Sequence, residues 1–177
     1  FNYYNECANI SYKNIYIDGT LYSSLNQTDQ IISITDELIK YFELLKLNNI
    51  KDQETNIIIK TSIGLSYFTE IAKIRALRSI VNSISIYYKH SFNLTIEAIT
   101  DEKSLSEIDI DSNLLRTTTS YLSAIIGGCD IISTLSHNKI QNDSDSHRLA
   151  TNVALILIEE SNILKVSDPS SGSFLIE

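Results

Sequence analysis

Three histidines, His90, His137 and His147, are the whole imidazole complement of the 177 residues. A metal centre or an activated nucleophile needs several such groups converging on one point. His90 follows Tyr87-Tyr88-Lys89 at the end of a helical pattern, where an imidazole serves as a polar cap. His137 and His147 fall in Asn/Asp/Ser-rich sequence beside Asp143 and Asp145. That grouping hints at a weak cation site, yet it lacks the glycine and terminal glutamate of a calcium loop, so solvated loop is the better reading. Lys73, Arg75 and Arg78 form the basic cluster of a strong helix, expected to pair with carboxylates of neighbouring elements rather than to hold an anion. Asp101-Glu102 and Asp109 with Asp111 read as loop solvation, and Glu159-Glu160 as a helix terminus. No GxxxxGK[ST] or GxGxxG phosphate loop occurs. Composition and spacing therefore assign no catalytic, cofactor-binding or metal-binding residue.

The elements that would position any site are clearer. Asn14-Ile15-Tyr16-Ile17-Asp18-Gly19 alternates polar and apolar residues and ends in glycine, a strand running into a turn. From about Gln27 to Leu47, Ile31, Ile34, Leu38, Tyr41 and Leu45 draw one helical stripe. Ile57-Ile58-Ile59 is a β-branched run suited to a strand buried on both faces. Tyr67, Ile71, Ile74, Leu77, Val81, Ile84 and Tyr88 hold helical spacing for more than twenty positions. A third unit joins Leu94-Thr95-Ile96-Glu97-Ala98-Ile99 to a helix from about Asn113 to Ile126, stopped by Gly127-Gly128. A fourth joins Cys129-Asp130-Ile131-Ile132-Ser133 to a helix carrying Leu149, Val153, Ile156 and Leu157. Asp168-Pro169-Ser170-Ser171-Gly172-Ser173 is a tight turn.

Four strand-helix units in succession imply an α/β fold of parallel strands with right-handed crossovers, either an open doubly wound sheet or part of an eight-unit barrel. A complete barrel takes about 250 residues, so four units make half of one. The 43% hydrophobic content supports one sizeable core. A net charge of -8 argues against nucleic acid and anionic membranes as general partners. No stretch reaches the roughly 18 apolar residues of a membrane span. Cys7 and Cys129 lie far apart without CxxC spacing, which fits a reducing compartment, so the cytoplasm is the expected location. The absence of Met suggests a chain that does not begin where its gene begins.

Three stretches together resemble the coenzyme-B12-dependent acyl-CoA mutases, and methylmalonyl-CoA mutases in particular. They are Ile63-Gly64-Leu65-Ser66-Tyr67-Phe68-Thr69-Glu70-Ile71-Ala72-Lys73-Ile74-Arg75-Ala76, then Leu115-Arg116-Thr117-Thr118 running to Ala124-Ile125-Ile126-Gly127-Gly128, then Glu159-Glu160-Ser161 through Lys165-Val166-Ser167-Asp168-Pro169 to Gly172-Ser173-Phe174. The resemblance implies the second half of a (β/α)8 TIM-type barrel over residues 1–177, with the first half and the cobalamin-binding domain outside it. It also implies a barrel that takes an acyl-CoA along its axis while a separate domain supplies adenosylcobalamin.

The departures from that family pattern point one way. Active members carry a histidine after the first strand's glycine, where Gly19-Thr20 here leads to Leu21, which offers neither donor nor proton to a thioester carbonyl. The Arg-Leu-Ser stretch that active chains use near the CoA aligns with Asn56-Ile57-Ile58, and their ribose-holding acidic residue with Ser120. Their Gly-Trp loop is replaced by Glu102-Lys103-Ser104-Leu105, and Asp168-Pro169-Ser170-Ser171-Gly172 is more similar to the small-chain turn. The resemblance therefore implies a segment of a structural small subunit that binds no cofactor itself, whose holoenzyme uses adenosylcobalamin and whose partner is a large catalytic subunit. An active acyl-CoA mutase chain and an unrelated flavodoxin-like module are the alternatives. A half barrel is also expected to expose unpaired strand edges and apolar side chains on its inner surface, and so to self-associate or find a partner.

Overall fold

The computed structural model describes residues 14–47, 55–138 and 144–177. Each expected unit is present. Strand β1 (Asn14–Asp18) leads through a 3-10 turn, Gly19–Tyr22, to helix α1 (Gln27–Leu47). Strand β2 (Thr55–Ile63) leads to α2 (Tyr67–Tyr88), and β3 (Phe92–Thr100) through the 3-10 turn Glu102–Ser104 to α3 (Ser112–Gly127). The short β4 (Ile131–Ser133) precedes α4 (Ser144–Leu155), which widens into a π turn at Ile156–Glu160.

The four strands are all parallel and hydrogen-bonded in the order of the chain, β1-β2-β3-β4. A flavodoxin-like sheet reverses its order at a switch point, and no reversal occurs among these strands. Ile57 pairs with Ile15 on one side and Leu94 on the other.

Period-two alternation sends Ile15, Ile17, Ile57, Ile59, Ile63, Ile96 and Ala98 to one face. There they meet Ile34, Leu38 and Phe42 of α1, Ile74, Leu77, Val81 and Ile84 of α2, and Ala124 of α3. Burying each such side chain contributes about 1.5–3 kcal/mol. The helices thus cover one face only, which is the arrangement of part of a (β/α)8 barrel.

The expectation that the Ile57-Ile58-Ile59 strand is buried on both faces is corrected: Ile57 and Ile59 are sealed against the helices, while Ile58 on the opposite face is half-buried. The helix-free face is also not the apolar surface the half-barrel argument anticipated. Register brings Asn14, Asn56 and Asn93 into one tier and Asp18, Lys60 and Glu97 into another. The reason is visible in the strands themselves, since the β-branched residues that give each strand its propensity sit on the helix side and the alternate positions carry polar groups.

Two glycines are fixed by geometry. A Cβ on Gly19 would stand 2.6 Å from both Ile34 Cδ1 and the Lys60 carbonyl oxygen, so the β1 turn closes only without one. Gly128 caps α3 at φ 83°, in the left-handed region that favours glycine.

Candidate functional site

In barrels of this kind the chemistry sits at the C-terminal ends of the strands, on the βα loops. At β1 the Asp18 carboxylate accepts from the Thr20 amide at 3.1 Å and its hydroxyl at 2.6 Å, turning the chain so that Leu21 projects outward, 73% exposed. Leu65 and Phe68 at the end of β2 and Ile108 in the β3–α3 loop are exposed on the corresponding loops. After β3, Asp101 caps the Glu102–Ser104 turn by accepting from the Lys103 amide. These loops present hydrocarbon where barrel chemistry places donors and acceptors.

Behind the loops lies a charged network. Lys73 Nζ stands 2.6 Å from Glu70, donates to Gln30 Oε1 at 3.0 Å and to the Ser62 carbonyl at 2.5 Å. Gln27 Nε2 donates to Glu70 Oε1 at 3.1 Å. The two charged side chains are 0% and 2% exposed. Burial lowers the Lys73 pKa, opposed by the adjacent Glu70 carboxylate. The network ties α1, the end of β2 and the first turns of α2 together. Sequence reasoning found Lys73 but missed Glu70 and Gln30; the i,i+3 spacing of Glu70 and Lys73 was a local signal, whereas Gln30 is brought in only by tertiary packing.

The other two cations also meet acceptors, as the sequence led one to expect. Arg75 holds both carboxylate oxygens of Asp168 at 2.7 Å and the Ser170 hydroxyl at 2.9 Å. The Arg75 guanidinium keeps Asp168 below the usual carboxylate range. Arg78 donates to the Gly128 carbonyl at 2.7 Å and to Asp130 at 2.8 Å, and Asp130 also accepts from the Ile96 amide. Both arginines line a cleft of about 710 Å³ between α2 and the end of α3, on the outer wall and away from the loops.

His90 sits at the α2 C-terminus, as a cap should: its amide donates to Ser85 and its Nε2 lies 3.1 Å from the Thr55 hydroxyl. His137 is a correction, being 7% exposed rather than solvated, because Asn113 donates to its carbonyl and its Nδ1 meets the Ser146 carbonyl. His147 is exposed but lies in the first turn of α4 rather than in a loop. Asp145 faces Arg148 at 3.4 Å. Cys7 and Asp143 lie outside the described residues. Cys129 is free and its thiol is pushed up to about 12, mainly by burial. Ser120 is buried and donates to the Gly64 carbonyl at 3.2 Å, seating α3 against the end of β2. Among the described residues no cluster of His, Cys, Asp and Glu is built to hold a metal ion, and no helix is long and apolar enough to cross a membrane.

Sequential parallel strands, helices on one face and functional positions on the C-terminal loops define an α/β protein of the parallel-barrel class. The sequence profile of the methylmalonyl-CoA mutase family matches residues 47–177, and the chain belongs to that family. It is 42% identical over 122 residues to the methylmalonyl-CoA mutase small subunit of Porphyromonas gingivalis, covering 65% of this chain and 20% of that one. It is 33% identical over 140 residues to the methylmalonyl-CoA mutase of Rhizobium meliloti, covering 76% of this chain and 20% of the relative. The mitochondrial methylmalonyl-CoA mutase of Homo sapiens is 35% identical over 122 residues, 65% of this chain and 16% of the relative. The chain therefore spans about a fifth of the length of these curated relatives.

Proposed function

We propose that this segment is the second half of the barrel domain of the structural small subunit of an adenosylcobalamin-dependent methylmalonyl-CoA mutase, in the cytoplasm, without catalytic groups of its own. The observation that carries the reading is Leu21, an exposed hydrocarbon on the β1 loop at the position where the resemblance puts the histidine of active chains. A leucine neither polarises a thioester carbonyl nor moves a proton. Ser120 supports it: where the resemblance puts an acidic ribose-holding group, a buried hydroxyl is spent on the Gly64 carbonyl.

The described residues do not fit the cobalt cofactor. The exposed loop residues Leu21, Leu65, Phe68 and Ile108 carry no donor for a metal, and His137 is turned inward onto Ser146. The 42% identity to a chain described as a small subunit favours the same role here, with a large catalytic subunit as partner and the adenosylcobalamin in that partner. The isomerisation belongs to the assembled enzyme.

The test is an activity assay on the full-length protein, alone and with the candidate large subunit, supplied with adenosylcobalamin. Conversion of methylmalonyl-CoA to succinyl-CoA only in the presence of the large subunit is the expected result. Turnover by this protein alone would place it with the active chains.

A further inference from the structure

The helix-free face of the sheet carries an unbalanced tier of charge. Parallel register aligns Asp18 with Lys60, Lys60 with Glu97 and Glu97 with Ile131 across all four strands. Lys60 Nζ stands 3.8 Å from Glu97, and the Ser133 hydroxyl donates to the same carboxylate oxygen at 2.5 Å. The Lys60 and Glu97 side chains are only 24% and 17% exposed. One tier down the strands from Tyr16, Asn56 donates to Asn14 at 2.9 Å and Asn93 to Asn56 at 3.3 Å, so the amides saturate one another. The charged tier does not saturate itself. It holds two carboxylates and one ammonium, a net charge of -1 on a surface that a barrel interior would remove from water. A charge enclosed without a counter-charge is strongly unfavourable.

We infer that the layer of polypeptide covering this face presents a lysine or arginine to the Asp18–Lys60–Glu97 tier. The inference rests on the barrel reading and adds to it the chemistry of the closing surface. A second copy of this chain does not suit the face, because two such tiers would enclose a charge of -2 between molecules that are each acidic overall. The fitting occupant is a strand layer from outside these 177 residues with a cation in register with the tier.

Counting charge makes the experiment decisive in the full-length protein. With a facing cation the tier is neutral, so Glu97→Gln and Asp18→Asn each leave it at +1, and each lowers the Tm by several degrees. Lys60→Met leaves -1 and also lowers it, whereas the double variant Lys60→Met/Glu97→Gln is neutral again and recovers much of the loss. Without a facing cation the signs reverse: Glu97→Gln and Asp18→Asn each neutralise the tier and raise or hold the Tm, which overturns the inference. Tyr16→Cys separates this failure from failure of the barrel reading, since Tyr16 is 54% exposed on the same face. A thiol at position 16 that resists a bulky maleimide in the native protein shows the face covered. Rapid labelling shows it bare, and a disulfide-linked homodimer through position 16 shows a second copy there; either result overturns the proposal.

Discussion

Ile58 and Ile59 are neighbours on β2, yet they face opposite worlds. Ile59 is sealed among the side chains of the helices, while Ile58 shares its face with tiers of asparagine, aspartate, lysine and glutamate. One face is held by packing, where any residue of suitable volume contributes. The other is held by pairing, where each group needs a specific partner. A barrel interior is ordinarily filled with branched apolar side chains, so this chain keeps the architecture while giving its inner surface a polar lining. Stability and recognition are thereby assigned to different sides of the same strands.

The largest expected effect comes from the charges that intrude on the packed side. Lys73→Ala leaves Glu70 buried without its cation and is expected to cost about 3–5 kcal/mol, seen as a large fall in the urea midpoint. A Glu70→Leu/Lys73→Met pair should recover most of it; failure to recover would mean that the hydrogen bonds to Gln30 and Ser62, rather than charge pairing, hold the network.

Next comes the direct contrast of faces. Ile59→Ala opens a cavity against α1 and α2 and should cost about 2–5 kcal/mol, whereas Ile58→Ala in the 177-residue chain should cost about 1 kcal/mol or less, because its face is only half-buried. In the full-length protein the gap should narrow, and equal costs in the short chain would erase the distinction drawn here. Asn56→Ala, removing one exposed rung of the amide ladder, should change stability by no more than about 0.5–1 kcal/mol.

Acid should act on a third place. Asp168 is held low by Arg75, so its contribution is fully present above the ordinary carboxylate value of about 3.9. It is lost as pH falls through the lowered folded value. Amide signals of residues 163–177 should therefore keep their native positions at pH 4 and move only in stronger acid. Arg75→Met should bring that movement up toward the ordinary carboxylate range.

Much of the helix-covered face was legible in the sequence. The spacing from Tyr67 to Val81 and Tyr88 gave α2 to the residue, and Gly127-Gly128 marked the end of α3, because apolar periodicity and a left-handed cap are local facts. The resemblance reached the family for the same reason, through contiguous stretches. What was not legible is tertiary. Gln30 reads as an ordinary polar position of α1 until Lys73 reaches it from α2. His137 reads as solvated until Asn113 and Ser146 close around it. The polar lining was partly visible, since Asn14, Asn56 and Asn93 each open a strand, but their alignment needs the register, and the Ile57-Ile58-Ile59 run drew attention away from Asn56 and Lys60 on either side.

The Arg75 clasp spans 93 positions of the chain, and that distance becomes time during synthesis. Sequential strands let each β-α unit dock on the one before it as it emerges, so α2 can seat on β1 and β2 early. Its guanidinium must then wait for Asp168 and Ser170. At about 5–20 residues per second, the wait lasts roughly 5–20 s, during which the outer side of α2 is open to water or to a chaperone. The clasp is thus a late fastening, made after the core it fastens already exists.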